Sequence, residues 1–185
     1  MAHHEGLVSC AAKKGAAGAS LDSRVASLLR KGGFTLALAE SCSGGLIAKR
    51  ITDIPGASAY FLLGLVTYAN SAKKRLLGVP AEVLDRCGAV SAETAWAMAI
   101  GIQKLAESDI AIATTGIAGP DGGTSAKPVG TVYIAIAAGG DCRVFPFRFN
   151  GDRETVREST ADAALDLLFQ HLQEQLQNNC HASGE

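Results

Sequence analysis

The sequence predicts an α/β domain, a three-layer α/β/α sandwich around a mixed, mostly parallel five-stranded sheet. Five short apolar runs bounded by turn residues read as strands. Segments with helical spacing precede, separate and follow them, so helices must connect the strands and cover both sheet faces. The last two runs are separated only by Gly139-Gly140-Asp141 and read as a hairpin, which makes the sheet mixed.

In chain order, residues 1–20 are rich in Ala, Gly and Lys and are expected to form a disordered tail outside the fold. Leu21, Val25, Leu28 and Leu29 share a helical face, and Gly32-Gly33 ends that helix. Residues 34–39 form the first strand. After Ser41-Cys42-Ser43-Gly44-Gly45, the residues Leu46, Ile47, Arg50 and Ile51 recur at helical spacing as far as Asp53-Ile54-Pro55-Gly56. A second strand lies within residues 60–68, and Asn70 is expected to cap a short helix carrying Ser71, Lys73, Lys74, Leu76 and Leu77. Ser91 caps a longer helix through Ala106, whose stripe of Ala95, Met98, Ala99, Ile102 and Leu105 faces a core rather than a cofactor. Residues 110–114, 131–138 and 144–149 supply the remaining strands. Asn150-Gly151-Asp152-Arg153 opens a terminal helix with the stripe Leu165, Leu168, Phe169, Leu172 and Leu176. The domain is expected to span residues 21–177, with 178–185 as a second disordered tail and no internal repeat.

Composition narrows the function. A chain of 185 residues, 48% hydrophobic and 19% charged, suits one soluble core, and no run approaches the roughly 18–20 apolar residues of a membrane span. Lys+Arg 17 against Asp+Glu 18 leaves a net charge of -1, which offers no global field for a nucleic-acid backbone. The five cysteines are scattered without C-x-x-C pairs or histidine spacing, so neither a disulfide framework nor a metal site is indicated. With no apolar h-region near the start, a reducing cytoplasm is the expected compartment. Mean hydropathy of +0.17 is consistent with an apolar patch and homo-oligomerisation.

Four polar clusters fall at strand ends or helix starts: 41–45, 67–73, 114–123 and 151–157. In α/β sheets such loops converge on one crevice. The loop from Thr115 lacks the G-K-[ST] ending of a P-loop, and no G-x-G-x-x-G occurs. At the first cluster two readings stand. Ser41 and Ser43 beside a helix N-terminus are placed for a nucleophile or a bound anion, and equally for a cap with glycines that permit a tight turn. Cys42 reads as a reactive thiol or a small buried side chain. His3, His4, His171 and His181 lie in the tails or the last helix, away from every glycine-rich loop. A Ser-His-Asp triad is thereby disfavoured, and a serine nucleophile needs Lys or Tyr as its partner.

The strings Ala39-Glu40-Ser41-Cys42-Ser43-Gly44-Gly45, Thr67-Tyr68-Ala69-Asn70-Ser71-Ala72-Lys73, Gly88-Ala89-Val90-Ser91, Thr115-Gly116-Ile117-Ala118-Gly119-Pro120 with Gly122-Gly123, Lys127-Pro128-Val129-Gly130-Thr131-Val132 and Gly151-Asp152-Arg153 resemble the CinA C-terminal domain family, in order and over roughly residues 21–177. The resemblance implies a nicotinamide-nucleotide amidohydrolase that converts nicotinamide mononucleotide to nicotinic acid mononucleotide and ammonia, without a metal or cofactor. Larger members carry an additional N-terminal domain, and this chain resembles the stand-alone form. The partner implied is a small mononucleotide, neither nucleic acid nor membrane.

By the same resemblance Ser41 is the nucleophile, Lys73 its general base, and Tyr68 a hydroxyl that relays or positions the proton. Ser-Lys pairs do activate nucleophiles where no histidine is available, provided the lysine is held neutral by burial. Lys74 serves as an internal control. Backbone N–H groups at Ser43, Gly44 and Gly45 are candidates for the oxyanion. Thr115, Gly116, Ala118 and Gly119 allow close approach of ribose or phosphate, and Arg153 suits the phosphate through its fork, or is a surface arginine behind a capping Asp152. Ser43 has three readings: phosphate ligand, oxyanion donor or cap. Glu40 either orients Lys73 or binds a backbone amide. The rival readings of the whole chain are a catalytically silent interaction protein and a serine amidase of another phosphorylated amide.

Overall fold

The computed structural model describes residues 19–182, with side chains through residue 178. Of the expected N-terminal tail, residues 1–18 lie outside the described residues, while Ser20 belongs to the fold as N-cap of the first helix, its hydroxyl accepting from the Ser23 N–H. The elements are α1 (Leu21–Gly32), β1 (Leu36–Glu40), α2 (Leu46–Thr52), β2 (Phe61–Val66), α3 (Asn70–Leu77), α4 (Ala81–Cys87), α5 (Ala92–Ala106), β3 (Ile110–Gly116), β4 (Thr131–Ala138), β5 (Asp141–Arg148) and α6 (Arg153–Ala182).

The sheet order is β2-β1-β3-β4-β5. β1 pairs in parallel with β2 and β3, and β4 pairs antiparallel with β3 and β5. Four of the five strands therefore run in one direction. The hairpin turn is Gly139-Gly140 alone, with φ of 58° and 83°, values that glycine adopts without strain. Asp141 consequently opens β5, ahead of the expected start at 144.

Side-chain volume alternates along the three inner strands. Leu36, Leu38, Ile110, Ile112, Ile134 and Ile136 point to one face, where they bury α1, α2 and α6. Ala37, Ala39, Ala111, Ala113, Ala135 and Ala137 point to the other, against α3, α4 and α5. The register stacks like on like, Leu38 beside Ile112 and Ala39 beside Ala113, so one face is deep and the other shallow. α3 and α5 themselves cross closely at Gly101, where a Cβ would stand 2.0 Å from the Leu77 carbonyl oxygen.

Two boundaries and one element differ from the sequence reading. Asn70 is the first residue of α3 rather than its cap, because the Ala69 carbonyl already accepts from the Lys73 N–H. α4 is an element that the sequence reading did not include, and Leu84 is its one buried residue. The terminal helix opens at Asp152, whose carboxylate accepts from the Thr155 N–H and hydroxyl, and it continues through Ala182, so residues 178–182 are helical and only 183–185 lie outside the described residues. Among the described residues no helix is long and apolar enough to cross a membrane.

The strand order reverses between β1 and β3, since the chain leaves β1 for β2 on one side and returns to β3 on the other. That is the switch point of an open sheet, where crevices form beyond the carboxyl ends of the strands. Ser41 follows β1, the 67–73 segment follows β2, and Thr115 and Gly116 end β3.

Replacing Gly101 with Ala should destabilise the protein by about 1–3 kcal/mol, as overpacking against backbone does. Urea unfolding of G101A measures this; an unchanged midpoint would mean that α3 and α5 separate freely.

Candidate active site

The loop after β1 is fixed by its neighbours before any ligand enters. Ser41 donates its N–H to the Thr114 carbonyl at 3.0 Å, and the Ser43 and Thr114 hydroxyls share a buried 2.8 Å hydrogen bond. Glu40, 2% exposed, turns its carboxylate onto the start of α2 and accepts from the N–H groups of Gly45, Ile47 and Ala48 at 2.9, 3.2 and 2.8 Å. α2 has no other side-chain cap. Of the two readings for Glu40, the structure selects the backbone-amide partner, and its charge complements the helix dipole.

This arrangement occupies two of the groups expected to serve the site from residues 43–45, the Gly45 N–H and the Ser43 hydroxyl. The Gly45 N–H is committed to Glu40, the Ser43 hydroxyl to Thr114, and the Ser43 carbonyl accepts from Arg157 Nε at 3.1 Å. None of Ser43, Gly44 and Gly45 lines the cavity beside Ser41. The chain turns away from that cavity immediately after Cys42, and the helix terminus that would attract an anion already holds a carboxylate.

Lys73 lies on α3 and is 1% exposed. Its Nζ is 3.0 Å from Ser41 Oγ, 2.8 Å from the Thr67 carbonyl oxygen and 3.3 Å from that of Tyr68. Among the described residues no carboxylate is ion-paired with it. Burial pushes its pKa below the ordinary lysine value. A neutral amine has two N–H bonds and one lone pair, which matches two carbonyl acceptors and one hydroxyl able to donate. Lys74 is exposed, as a control should be.

The cavity has a volume of about 190 Å³ and is lined by Ser41, Cys42, Tyr68, Lys73, Ala89, Val90, Thr115, Gly116, Ala118 and Arg153. Seven of the residues singled out in the sequence thus meet, and Gly119 joins them through its carbonyl, which accepts from Arg153 Nη1 at 2.8 Å. The Tyr68 hydroxyl, expected to relay or position the proton, has Arg153 as its hydrogen-bond partner. The side chain is 60% exposed at the mouth, and the hydroxyl accepts from Arg153 Nη2 at 2.8 Å. Tyr68 reaches Lys73 through its carbonyl, not its phenol.

Sequence reasoning passed over Ala89, Val90 and the wall position of Cys42. The first two sit in the Gly88-Ala89-Val90-Ser91 string just before the Ser91 cap, a visible signal that was not tied to the site. Burial pushes the Cys42 thiol up to about 12, which disfavours its thiolate at neutral pH. His171 lines a separate cavity with Phe34 and Asp109 and does not approach Ser41. A larger apolar groove of about 670 Å³ is lined by Pro80, Glu93, Trp96, Cys142 and Val144, with the Cys142 thiol pushed up to about 11 by burial. Among the described residues no three His, Cys, Asp or Glu side chains cluster as a metal site.

Comparison with known proteins gives a consistent result. The profile of the CinA C-terminal domain matches residues 18–172. A CinA-like protein of Geotalea uraniireducens is 61% identical over 155 residues, which are 84% of this chain and 37% of that protein, and one of Geobacter sulfurreducens is 60% identical over 153 residues, 83% and 37%. The chain thus spans less than two fifths of the length of these curated relatives. A CinA superfamily protein from Klebsiella pneumoniae has a solved structure that superposes with a TM-score of 0.81 at 38% identity, covering 83% of this chain and 96% of that one. A competence/damage-inducible protein from Agrobacterium tumefaciens gives 0.79 at 41% identity, with 81% and 92% covered.

A buried lysine costs stability while the unfolded chain binds its proton more tightly. Stability should therefore rise with pH through the window between the depressed folded pKa and the unfolded value of about 10.4. Lys73→Met should be more stable than wild type at neutral pH, by on the order of 1 kcal/mol, with the difference shrinking as pH approaches 10. Denaturant titrations at pH 7 and pH 10 measure both; a variant that is less stable at both values would contradict the burial argument.

Proposed function

This chain belongs to the CinA C-terminal domain family, and from that premise we propose that it is a nicotinamide-nucleotide amidohydrolase, converting nicotinamide mononucleotide to nicotinic acid mononucleotide and ammonia with Ser41 as nucleophile and Lys73 as base. The observation that carries the reading is the buried 3.0 Å contact between Lys73 Nζ and Ser41 Oγ, at a lysine with no ion-pair partner among the described residues.

Neutral Lys73 takes the Ser41 proton as Oγ attacks the carboxamide carbon. The resulting ammonium, steadied by the Thr67 and Tyr68 carbonyls, protonates the departing nitrogen, and ammonia leaves behind an ester on Ser41. Lys73, neutral again, deprotonates a water that attacks the ester carbon, and the carboxylate product is released as Ser41 recovers its proton.

The cavity of about 190 Å³ is below the roughly 300–1,000 Å³ of pockets that enclose a whole drug-sized ligand. It suits the carboxamide-bearing ring, with Cys42, Ala89, Val90 and Ala118 as apolar walls, and leaves the ribose phosphate at the mouth. There Arg153 presents a guanidinium whose present partners, the Gly119 carbonyl and the Tyr68 hydroxyl, are neutral and readily exchanged for phosphate. Tyr68 is accordingly a gatepost that orients Arg153.

Purified protein incubated with nicotinamide mononucleotide and a chelator should release ammonia, and Ser41→Ala and Lys73→Ala should each lower kcat by about 10⁴-fold or more while remaining folded. An inert wild type that still binds the nucleotide would replace the enzymatic reading with a binding role. The activity should also rise with pH as Lys73 loses its proton, with an apparent pKa below the ordinary lysine value of about 10.4. A rate independent of pH from 6 to 10 would remove Lys73 as the base.

A further inference from the structure

The Lys127-Pro128-Val129-Gly130 string is not accounted for by the chemistry above, and Lys127 does not line the cavity. Its Nζ donates to the Cys87 carbonyl at 2.8 Å and to the Val90 carbonyl at 2.7 Å. Its own backbone is locked in a turn, donating to Thr124 Oγ1 at 3.0 Å and accepting from the Thr124 N–H at 2.9 Å. Between the two carbonyls it holds, the Gly88 carbonyl accepts from the Ser91 and Thr94 hydroxyls at 3.0 and 2.7 Å, and the Ala89 carbonyl accepts from the Thr115 hydroxyl at 2.6 Å.

Four consecutive carbonyls, 87 to 90, are therefore each fixed by a side chain. A surface turn normally leaves such groups to water. Two of these residues, Ala89 and Val90, are walls of the cavity that contains Ser41 and Lys73. The ammonium also sits at the carbonyl end of α4, where a cation is favoured, and among the described residues no carboxylate is ion-paired with it. Gly88, with φ of 80°, has its Cβ direction 3.8 Å from Nζ, leaving room for the ammonium between the two carbonyls.

We propose that Lys127 is a positioning residue for the site: from outside the cavity it staples the 117–130 loop to the 87–90 turn and so sets where the Ala89–Val90 wall stands relative to Ser41 and Lys73. The proposal rests on the amidohydrolase reading for its effect on substrate. The wall touches the ring of the bound amide, not the bond being cut, so its loss weakens ground state and transition state alike.

The test is Lys127→Met, which keeps side-chain length but removes the donors, beside the charge-matched control Lys104→Met on the exposed end of α5. With nicotinamide mononucleotide as substrate, K127M should raise KM about tenfold or more while kcat stays within about threefold, and K104M should match wild type. Amide hydrogen exchange read by mass spectrometry should speed up in the peptide spanning 87–91 and stay unchanged in β1 and β3. A wild-type KM, or exchange that rises uniformly through the sheet, would overturn the proposal. If the wild type itself releases no ammonia, the amidohydrolase reading has failed separately, and exchange decides alone: unaltered protection at 87–91 in K127M then sinks the staple.

Discussion

The Glu40 carboxylate at the end of β1 accepts three N–H groups from the first turn of α2, and the geometry of the site follows from that capture. A helix start beside a glycine-rich loop is ordinarily an anion site, because its amides are unpaired and its dipole is positive. Here a buried residue of the same chain supplies the anion. The 41–45 loop is thereby pinned against α2, Ser41 is left on the cavity side, and the cationic group at the cavity mouth is Arg153.

Lys73 illustrates the opposite treatment of charge. Glu40 is buried with three donors around it, whereas Lys73 is buried against two carbonyls and a hydroxyl, with no ion-pair partner among the described residues. Desolvation among neutral partners penalises the charged form of Lys73. The stability lost by burying a lysine is the same quantity that biases its amine toward the neutral form.

The alternation of large and small residues on the inner strands positions these groups. The leucine and isoleucine face supplies a thick core beneath α1, α2 and α6, while the alanine face lets α5 lie close to the sheet and Gly101 lets α3 lie close to α5. Lys73 rides on α3, and the 87–90 turn leads directly into α5, so both are carried by the shallow layer. Small changes in that packing would be transmitted to the wall of the cavity, because close-packed layers have little slack.

Much of this was legible in the sequence. The strands are alternating or apolar runs with their own punctuation, and the hairpin is written in Gly139-Gly140. The exclusion of a histidine triad and the joint presence of Ser41 and Lys73 needed only residue types and order. What only the tertiary structure decided was the partner of each polar group. Ser43 went to Thr114, the Tyr68 hydroxyl to Arg153, Glu40 to α2, and Lys127 to the 87–90 turn, across separations of 71, 85, 5 to 8 and 37 to 40 residues. Hydrophobic burial leaves a period in the chain because every turn of a helix or strand repeats the same demand. A single hydrogen bond between two distant loops is made once, so it leaves no period, and it is settled only when the sheet brings the loop ends together.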